Sequence, residues 1–388
     1  MNKKILIFLL MLMTLISGCW DTKEPERMLY IYGIGVDYKD GKYHIYAQII
    51  SFASIAKSEQ PSNPDTIQAE VGHSSGKTEH EAFYNLYKSM DEELYWGHLS
   101  YIVFSEDLLK SGETNSFINP FGRFQNIRYL TWVYSTNEPM KKVMLVTPIL
   151  NKAISLSKLS DPLNSYKLDS TIEPLNMRQL ILKLEEPSYE VAIPSVTLLQ
   201  NWETEKGKNL TTNVNGVSVL TSKGFKGNIS GDKVKGLPWM DKKTKRAELT
   251  IMLNKGESER KHFITANGKV NGVKVTPIVK NNSVYFDVNV KMEVELGGFQ
   301  GSIKEKTIKK EVEKEVKKEI KTTFKEGLSI DTDIYRLSEY LYRKDVKSWK
   351  KFQKKGKIEL HEDSLRNIKV DVQSVYSGRK NFKETIRR

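Results

Sequence analysis

The chain has 388 residues, with 61 Lys and Arg against 48 Asp and Glu, a formal net charge of +13 and a single cysteine. That length suits two or three domains with cores built without covalent staples, and one cysteine excludes disulfides within the chain and any cysteine-rich zinc site. The basic balance suits anionic headgroups, an acidic partner or a plainly solvated surface, and no nucleic-acid module is visible.

At the start, Asn2-Lys3-Lys4 is a short positive region, and the apolar run 5–16 follows it. The run is too short to span a bilayer comfortably but suits the apolar core of a signal peptide. It ends in Ile16-Ser17-Gly18-Cys19, which resembles the bacterial lipobox. Small residues there give lipoprotein signal peptidase access to the bond, and the cysteine thiol receives diacylglycerol. Cys19 is therefore the expected lipidation site and residues 1–18 the expected lipoprotein signal peptide. Removing those 18 residues leaves 370, with a net charge of +11 once Lys3 and Lys4 are gone. With its only thiol acylated, the exported part has no cysteine nucleophile. No later run approaches 18 apolar residues, so a tethered, water-soluble ectodomain is expected.

Segments 30–38 and 43–50 are rich in β-branched and aromatic residues, and Asp40-Gly41 between them suits a tight hairpin turn. A polar loop with two prolines is expected at 58–65, a third strand at 66–71 and a helix at 78–90. Further strands are expected at 99–104 and 129–135. Residues 141–211 change character, with five prolines and short helical runs at 149–159 and 176–184. The polar stretch 201–209 reads as a linker. From Val284 to Leu296 apolar residues alternate with polar ones, the pattern of a strand with one wet face. Ile308, Val312, Val316, Ile320 and Phe324 then recur every four residues, making one stripe on a long helix over 303–326. Over 304–325 five glutamates interleave with nine lysines around that stripe, which favours a helix packed on the sheet over one lying on a membrane. A last strand is expected at 364–375. The fold class is α+β: a three-domain ectodomain of mixed and antiparallel sheets with packed helices, divided at 19–140, 141–211 and 212–388.

One stretch resembles two catalytic motifs. Gly72-His73-Ser74-Ser75-Gly76 matches the G-x-S-x-G nucleophile elbow, and Gly76-Lys77-Thr78 matches the end of a phosphate-binding loop. The phosphate loop fails because Val71 stands where its first glycine belongs. The elbow lies between a strand and a helix, as it should. However, a hairpin precedes it instead of several parallel strands, no oxyanion segment comes before it, and His80, His98, His262 and His361 lie in no recognisable setting. The expectation is a strand-to-helix joint in which Ser74, Ser75 or Thr78 caps the helix, with Glu81 completing a capping box from Thr78. His73, Glu79 and His80 lack metal-site spacing, and His98 reads as structural. No catalytic residue, cofactor site or metal site is expected.

Gly18-Cys19-Trp20-Asp21, Glu24 and Tyr32-Gly33-Ile34-Gly35-Val36-Asp37 resemble the mature start of the Ger(x)C family, the C-subunit lipoproteins of spore germinant receptors. The resemblance continues through Gly72 with Glu81-Ala82, Trp96-Gly97-His98 before 101–104, and Gly216-Val217-Ser218-Val219 with Lys223 and Gly227. It ends with Asp333, Tyr342-Arg343-Lys344 and Trp349-Lys350, whereas Tyr32 and residues 332–335 depart from the family's usual pattern. The resemblance implies a lipid-anchored, non-enzymatic α+β ectodomain on the outer face of the spore inner membrane. It also implies two integral membrane partners, the A and B type receptor subunits, and a role in assembly or coupling of the nutrient response. An extracytoplasmic solute-binding lipoprotein is the alternative, but the two similar βα-repeat lobes it requires are not visible.

Overall fold

A computed structural model describes residues 3–5, 27–50, 67–121, 129–205, 207–253, 262–297 and 304–377. The lipobox with Cys19 and the expected loop at 58–65 lie outside the described residues. The first sheet begins with β1 (Met28–Lys39) and β2 (Lys42–Ile50), joined at Asp40-Gly41. Both turn residues have positive φ, 53° and 70°, which is why Asp-Gly ends the hairpin so tightly. Chain order continues with β3 (Ala69–Gly76), α1 (Glu79–Tyr87), β4 (Glu93–Tyr95), β5 (Tyr101–Ser105), α2 (Glu106–Ser111), α3 (Thr114–Phe121), β6 (Trp132–Thr136) and α4 (Met140–Leu145). Then come α5 (Pro162–Leu168), α6 (Met177–Glu185), β7 (Glu190–Thr204), β8 (Gly207–Thr221) and β9 (Gly224–Ser230).

These strands form one nine-stranded sheet in the order β3-β2-β1-β5-β6-β7-β8-β9, with β4 beside the start of β1. Its centre, β1-β5-β6-β7, is parallel, while hairpins flank it on both sides. The G-I-G pattern of β1 has a packing cause. A Cβ on Gly33 would stand 2.3 Å from the Tyr101 ring, and one on Gly35 would stand 2.5 Å from Met140. Both glycines face the side where Tyr101, Val103, Tyr134, Met140 and Met144 pack, whereas Ile34 and Val36 face the larger core on the other side.

The second unit holds β10 (Ala247–Leu253), β11 (His262–Lys280), β12 (Ser283–Leu296), α7 (Glu305–Ser329), α8 (Leu337–Lys344), α9 (Val346–Phe352), β13 (Gln353–Lys354), β14 (Lys357–Ile358) and β15 (Leu365–Ser377). Its sheet runs β10-β11-β12-β15, antiparallel except for the β12–β15 pair, and β13 and β14 form a small hairpin. The alternation read over 284–296 is real: Val284, Phe286, Val288, Val290, Met292, Val294 and Leu296 are all buried. Ile308, Val312, Val316, Ile320 and Phe324 join them in one core. The lysine- and glutamate-rich flanks of α7 form ion pairs at its surface, as at Lys318–Glu315. The fold is α+β: α4 packs on the Tyr101 side of the first sheet, α1, α2, α3 and α6 pack on the other side, and α7 packs on the second sheet.

Three expectations need correction. The stretch 201–209 is not a linker: it forms the exposed ends of β7 and β8, paired at Trp202–Asn209, Glu203–Lys208 and Thr204–Gly207. Polar side chains do not prevent this, because the ladder is made by the backbone. The divisions at 140/141 and 211/212 coincide with no break in the sheet. β6 pairs directly with β7 across the first, and the second falls inside β8. The run 149–159 is two short 3-10 turns instead of a helix, with Leu150 and Asn151 left-handed at φ 60° and 49°.

A buried carboxyl in this second core gives a testable pH dependence. Glu319, on the sheet-facing side of α7, accepts a hydrogen bond from Trp239 Nε1 at 2.5 Å. Burial raises its pKa to about 7, assisted by Glu315 and opposed by the Trp239 hydrogen bond, Lys235 and Lys318. Because the folded pKa is the higher one, the folded state holds the proton more tightly than the unfolded chain. Stability is therefore full below the ordinary glutamate pKa and is lost as pH rises towards 7. Glu319→Gln is expected to be nearly neutral at pH 4.5 and stabilising by about 2–3 kcal/mol at pH 8. Urea midpoints at the two pH values test this; an equal effect at both would place Glu319's titration elsewhere.

Candidate functional site

The serine of the elbow motif is not poised for chemistry. β3 continues to Gly76, so Ser74 lies within a strand and not in a strained turn. Its hydroxyl donates to Ala82 O at 2.5 Å. A Cβ on Gly76 would stand 2.5 Å from Ala82 N, so glycine is needed where α1 crosses the end of the strand. Thr78 caps α1: its hydroxyl accepts from Glu81 N at 3.1 Å, while the Glu81 carboxylate accepts from Lys77 N at 2.7 Å. The motif is therefore a capped strand-to-helix joint.

His44, His73, His98 and His361 make structural contacts. His73 stacks on Tyr46 and His44, with the two imidazoles 3.1 Å apart between Nε2 and Nδ1. Burial, followed by His44 and Lys141, lowers the pKa of His73 and favours the neutral ring. His98 packs edge-on against Tyr30. His361 precedes a short turn, its backbone N–H donating to Ser364 Oγ at 2.9 Å. The side chain of His262 is outside the described set. Among the described residues no three His, Cys, Asp or Glu side chains gather as a metal site. Cys19 lies outside the described residues. No helix among the described residues is long and apolar enough to cross a membrane.

The feature that sequence reading missed lies where the two sheets meet. Asp333 and Glu190 are only 2% and 4% exposed. The Asp333 carboxylate caps the start of α8, accepting from Leu337 N and Ser338 N at 2.7 Å each, and from Ser188 Oγ at 3.4 Å. Asp333 N donates in turn to the Glu190 carboxylate at 2.6 Å. Lys357 Nζ lies 3.1 Å from Glu190 and 2.9 Å from the Asp331 carboxylate. Arg336 reaches back across the junction. Its guanidinium donates to Lys183 O at 2.9 Å, Pro187 O at 3.3 Å and Glu190 O, and pairs with Glu339 at 2.7 Å.

The backbone here is unusual. Ser188, Tyr189, Asp331, Arg336 and Lys355 all have positive φ. Non-glycine residues seldom adopt that region, so five together mark a loop assembly held by its contacts. Burial pushes the carboxyls of Glu190 and Asp333 upward; Lys357 opposes this at Glu190, and the helix N–H groups oppose it at Asp333. For Lys357, burial acts to lower the pKa, but Asp331 and Glu190 outweigh it and keep the ammonium charged. A cleft of about 440 Å³ opens beside the network, bordered by Tyr189, Lys223, Lys226, Asp331 and Lys355. Asp333 entered the sequence reading only through the family resemblance, and Glu190, Arg336 and Lys357 look like surface charges until the fold brings 183–190 against 331–357.

Comparison with known proteins matches both units. The family described as "Spore germination protein N-terminal domain" matches residues 21–198, and "Spore germination B3/ GerAC like, C-terminal" matches residues 215–378. Spore germination protein KC of Bacillus subtilis is 22% identical over 310 residues, covering 76% of this chain and 74% of that protein. Spore germination protein B3 of the same organism is 24% identical over 294 residues, covering 74% and 72%. The crystal structure of the GerBC protein superposes with a TM-score of 0.51 at 19% identity, covering 89% of this chain and 97% of that one. With both family domains matched in order along the chain, it belongs to the Ger(x)C family of spore germination proteins.

Proposed function

We propose that the protein is the lipid-anchored, non-catalytic subunit of a spore germinant receptor, held through Cys19 at the outer face of the spore inner membrane. There it assembles with A and B type membrane subunits and couples them to the nutrient response. The observation carrying this reading is the match of both family domains along almost the whole ectodomain, preceded by Ile16-Ser17-Gly18-Cys19. The site chemistry supports a structural role, since the buried charges are consumed by capping and clamping contacts. The solute-binding alternative is not favoured, because the sheet is continuous from β3 to β9 and forms no pair of similar lobes.

Cys19→Ala is expected to leave the protein unprocessed or released from spore membranes and to weaken germination with the receptor's own germinants only. Fractionation with mass analysis of the N-terminus checks it. A variant that is cleaved and still membrane-retained would remove the lipid assignment. Recovery of the wild-type protein without A and B subunits in membrane pull-downs would remove the assembly role.

A further inference from the structure

We infer that the strand-start end of the nine-stranded sheet is a bilayer-resting face, with Leu150, Leu130 and their neighbours seated in the headgroup boundary. The inference deepens the proposed function and rests on its Cys19 anchor. β1, β5 and β6 are parallel and begin at this end, and the antiparallel hairpins place the start of β3 there too. The end carries large apolar side chains in water: Leu150 is 85% exposed, Ile67 67% and Leu130 66%. Leu156, Tyr129 and Tyr95 are exposed with them.

Their placement follows from specific contacts. Tyr95 stands beside Tyr30 at the start of β1, with ring centroids 5.5 Å apart. Leu130 lies just before β6, whose Trp132 N donates to Ser100 O. Gln68, just before β3, donates to Asn151 O at 2.8 Å and so fixes the Leu150 turn at this end. Leu156 precedes Ser160, whose carbonyl accepts from Ser100 Oγ at 3.4 Å. These residues come from four separate connections, so no single loop accounts for the surface. Leu150 is held outward in a left-handed backbone, which a leucine adopts only at a cost. An apolar surface of this kind is a liability in water unless something covers it.

The chain identifies the cover. From Cys19 to Met28 there are nine residue steps. Fully extended they reach about 30 Å, so an acylated Cys19 holds the start of β1 close to the bilayer. β1 is 12 residues long, which puts the Asp40-Gly41 turn about 40 Å farther away. A tethered face meets the membrane at high effective concentration, and tyrosines suit its interface. The exposed acids Asp91 and Glu93 precede Tyr95, while exposed Lys152 and Lys158 flank Leu156. Apolar insertion, not net charge, is therefore the expected attachment.

The test uses the full-length, processed protein in phosphatidylethanolamine–phosphatidylglycerol vesicles. Acylation occupies the only native thiol, so one added cysteine carries the sole environment-sensitive fluorophore. Leu150→Cys and Leu130→Cys are expected to shift to the blue and to be quenched several-fold by nitroxide lipid. Lys42→Cys, at the far turn, is expected to show neither. Flotation with the vesicles but no quenching at 150 and 130 would overturn the orientation and leave the anchor standing. Shielding of both sites only when A and B subunits share the membrane would make a protein the occupant and overturn the inference. Failure to float would overturn the anchor and the inference together.

Discussion

Val316→Asp is expected to leave the second unit unfolded or barely folded. Val316 is fully buried in the core shared by α7 and the β10-β11-β12-β15 sheet, with Val312 and Ile320 one turn away on either side. A carboxylate there has no partner, and its burial costs several kcal/mol beyond the lost apolar contacts. Domains of this size are held by roughly 5–15 kcal/mol, so one such change consumes much of the margin. Lys318→Asp is the contrast. Its side chain is 68% exposed and pairs with Glu315 at 2.7 Å. An exposed pair of this kind contributes about 0–1 kcal/mol, so the loss is expected to stay near that range. Guanidinium unfolding followed by circular dichroism separates the cases. Equal tolerance of both would contradict the helix-on-sheet core.

The same stripe shows what made parts of this fold legible. Where one face is dry and the other wet, burial writes its period into the sequence, as in β12 and α7. Asp40-Gly41 announced its turn because positive φ narrows the choice of residue. The sequence misled where local composition and backbone pairing part company. Most of residues 201–209 are polar because both faces of that hairpin end are wet, yet their backbone pairs at Trp202–Asn209, Glu203–Lys208 and Thr204–Gly207. Leu150 continues an apolar run but sits in a left-handed turn after Pro148, so its hydrophobicity reports exposure at an end of the sheet, not a helix face. The G-x-S-x-G match was readable as a cap because Thr78 and Glu81 stand three apart. The charged junction was unreadable for a different reason. Glu190 and Arg336 are 146 positions apart, and neither has a local feature that marks it as buried.

That junction carries the prediction that bears most directly on coupling. Asp333→Ala is expected to destabilise the protein by about 3–5 kcal/mol and to loosen the second unit from the first. The variant leaves Leu337 N and Ser338 N without their acceptor inside a closed interface, and each buried orphan donor costs about 1–3 kcal/mol. It also removes a buried negative charge that Arg336 stabilises at a distance, while the Arg336 guanidinium holds the carbonyls of Lys183, Pro187 and Glu190. Asp333→Asn keeps one oxygen for the α8 cap and is expected to cost about half as much. Calorimetry should show one transition for the wild type broadening or splitting in the Ala variant. In spores, the Ala variant is expected to keep membrane retention but respond slowly to the receptor's own germinants, because the two units no longer move as one body. Asp333→Ala with wild-type stability and a wild-type response would reduce the buried network to a packing detail. Slow germination with an unchanged transition would place the role of Asp333 in a direct contact with another subunit.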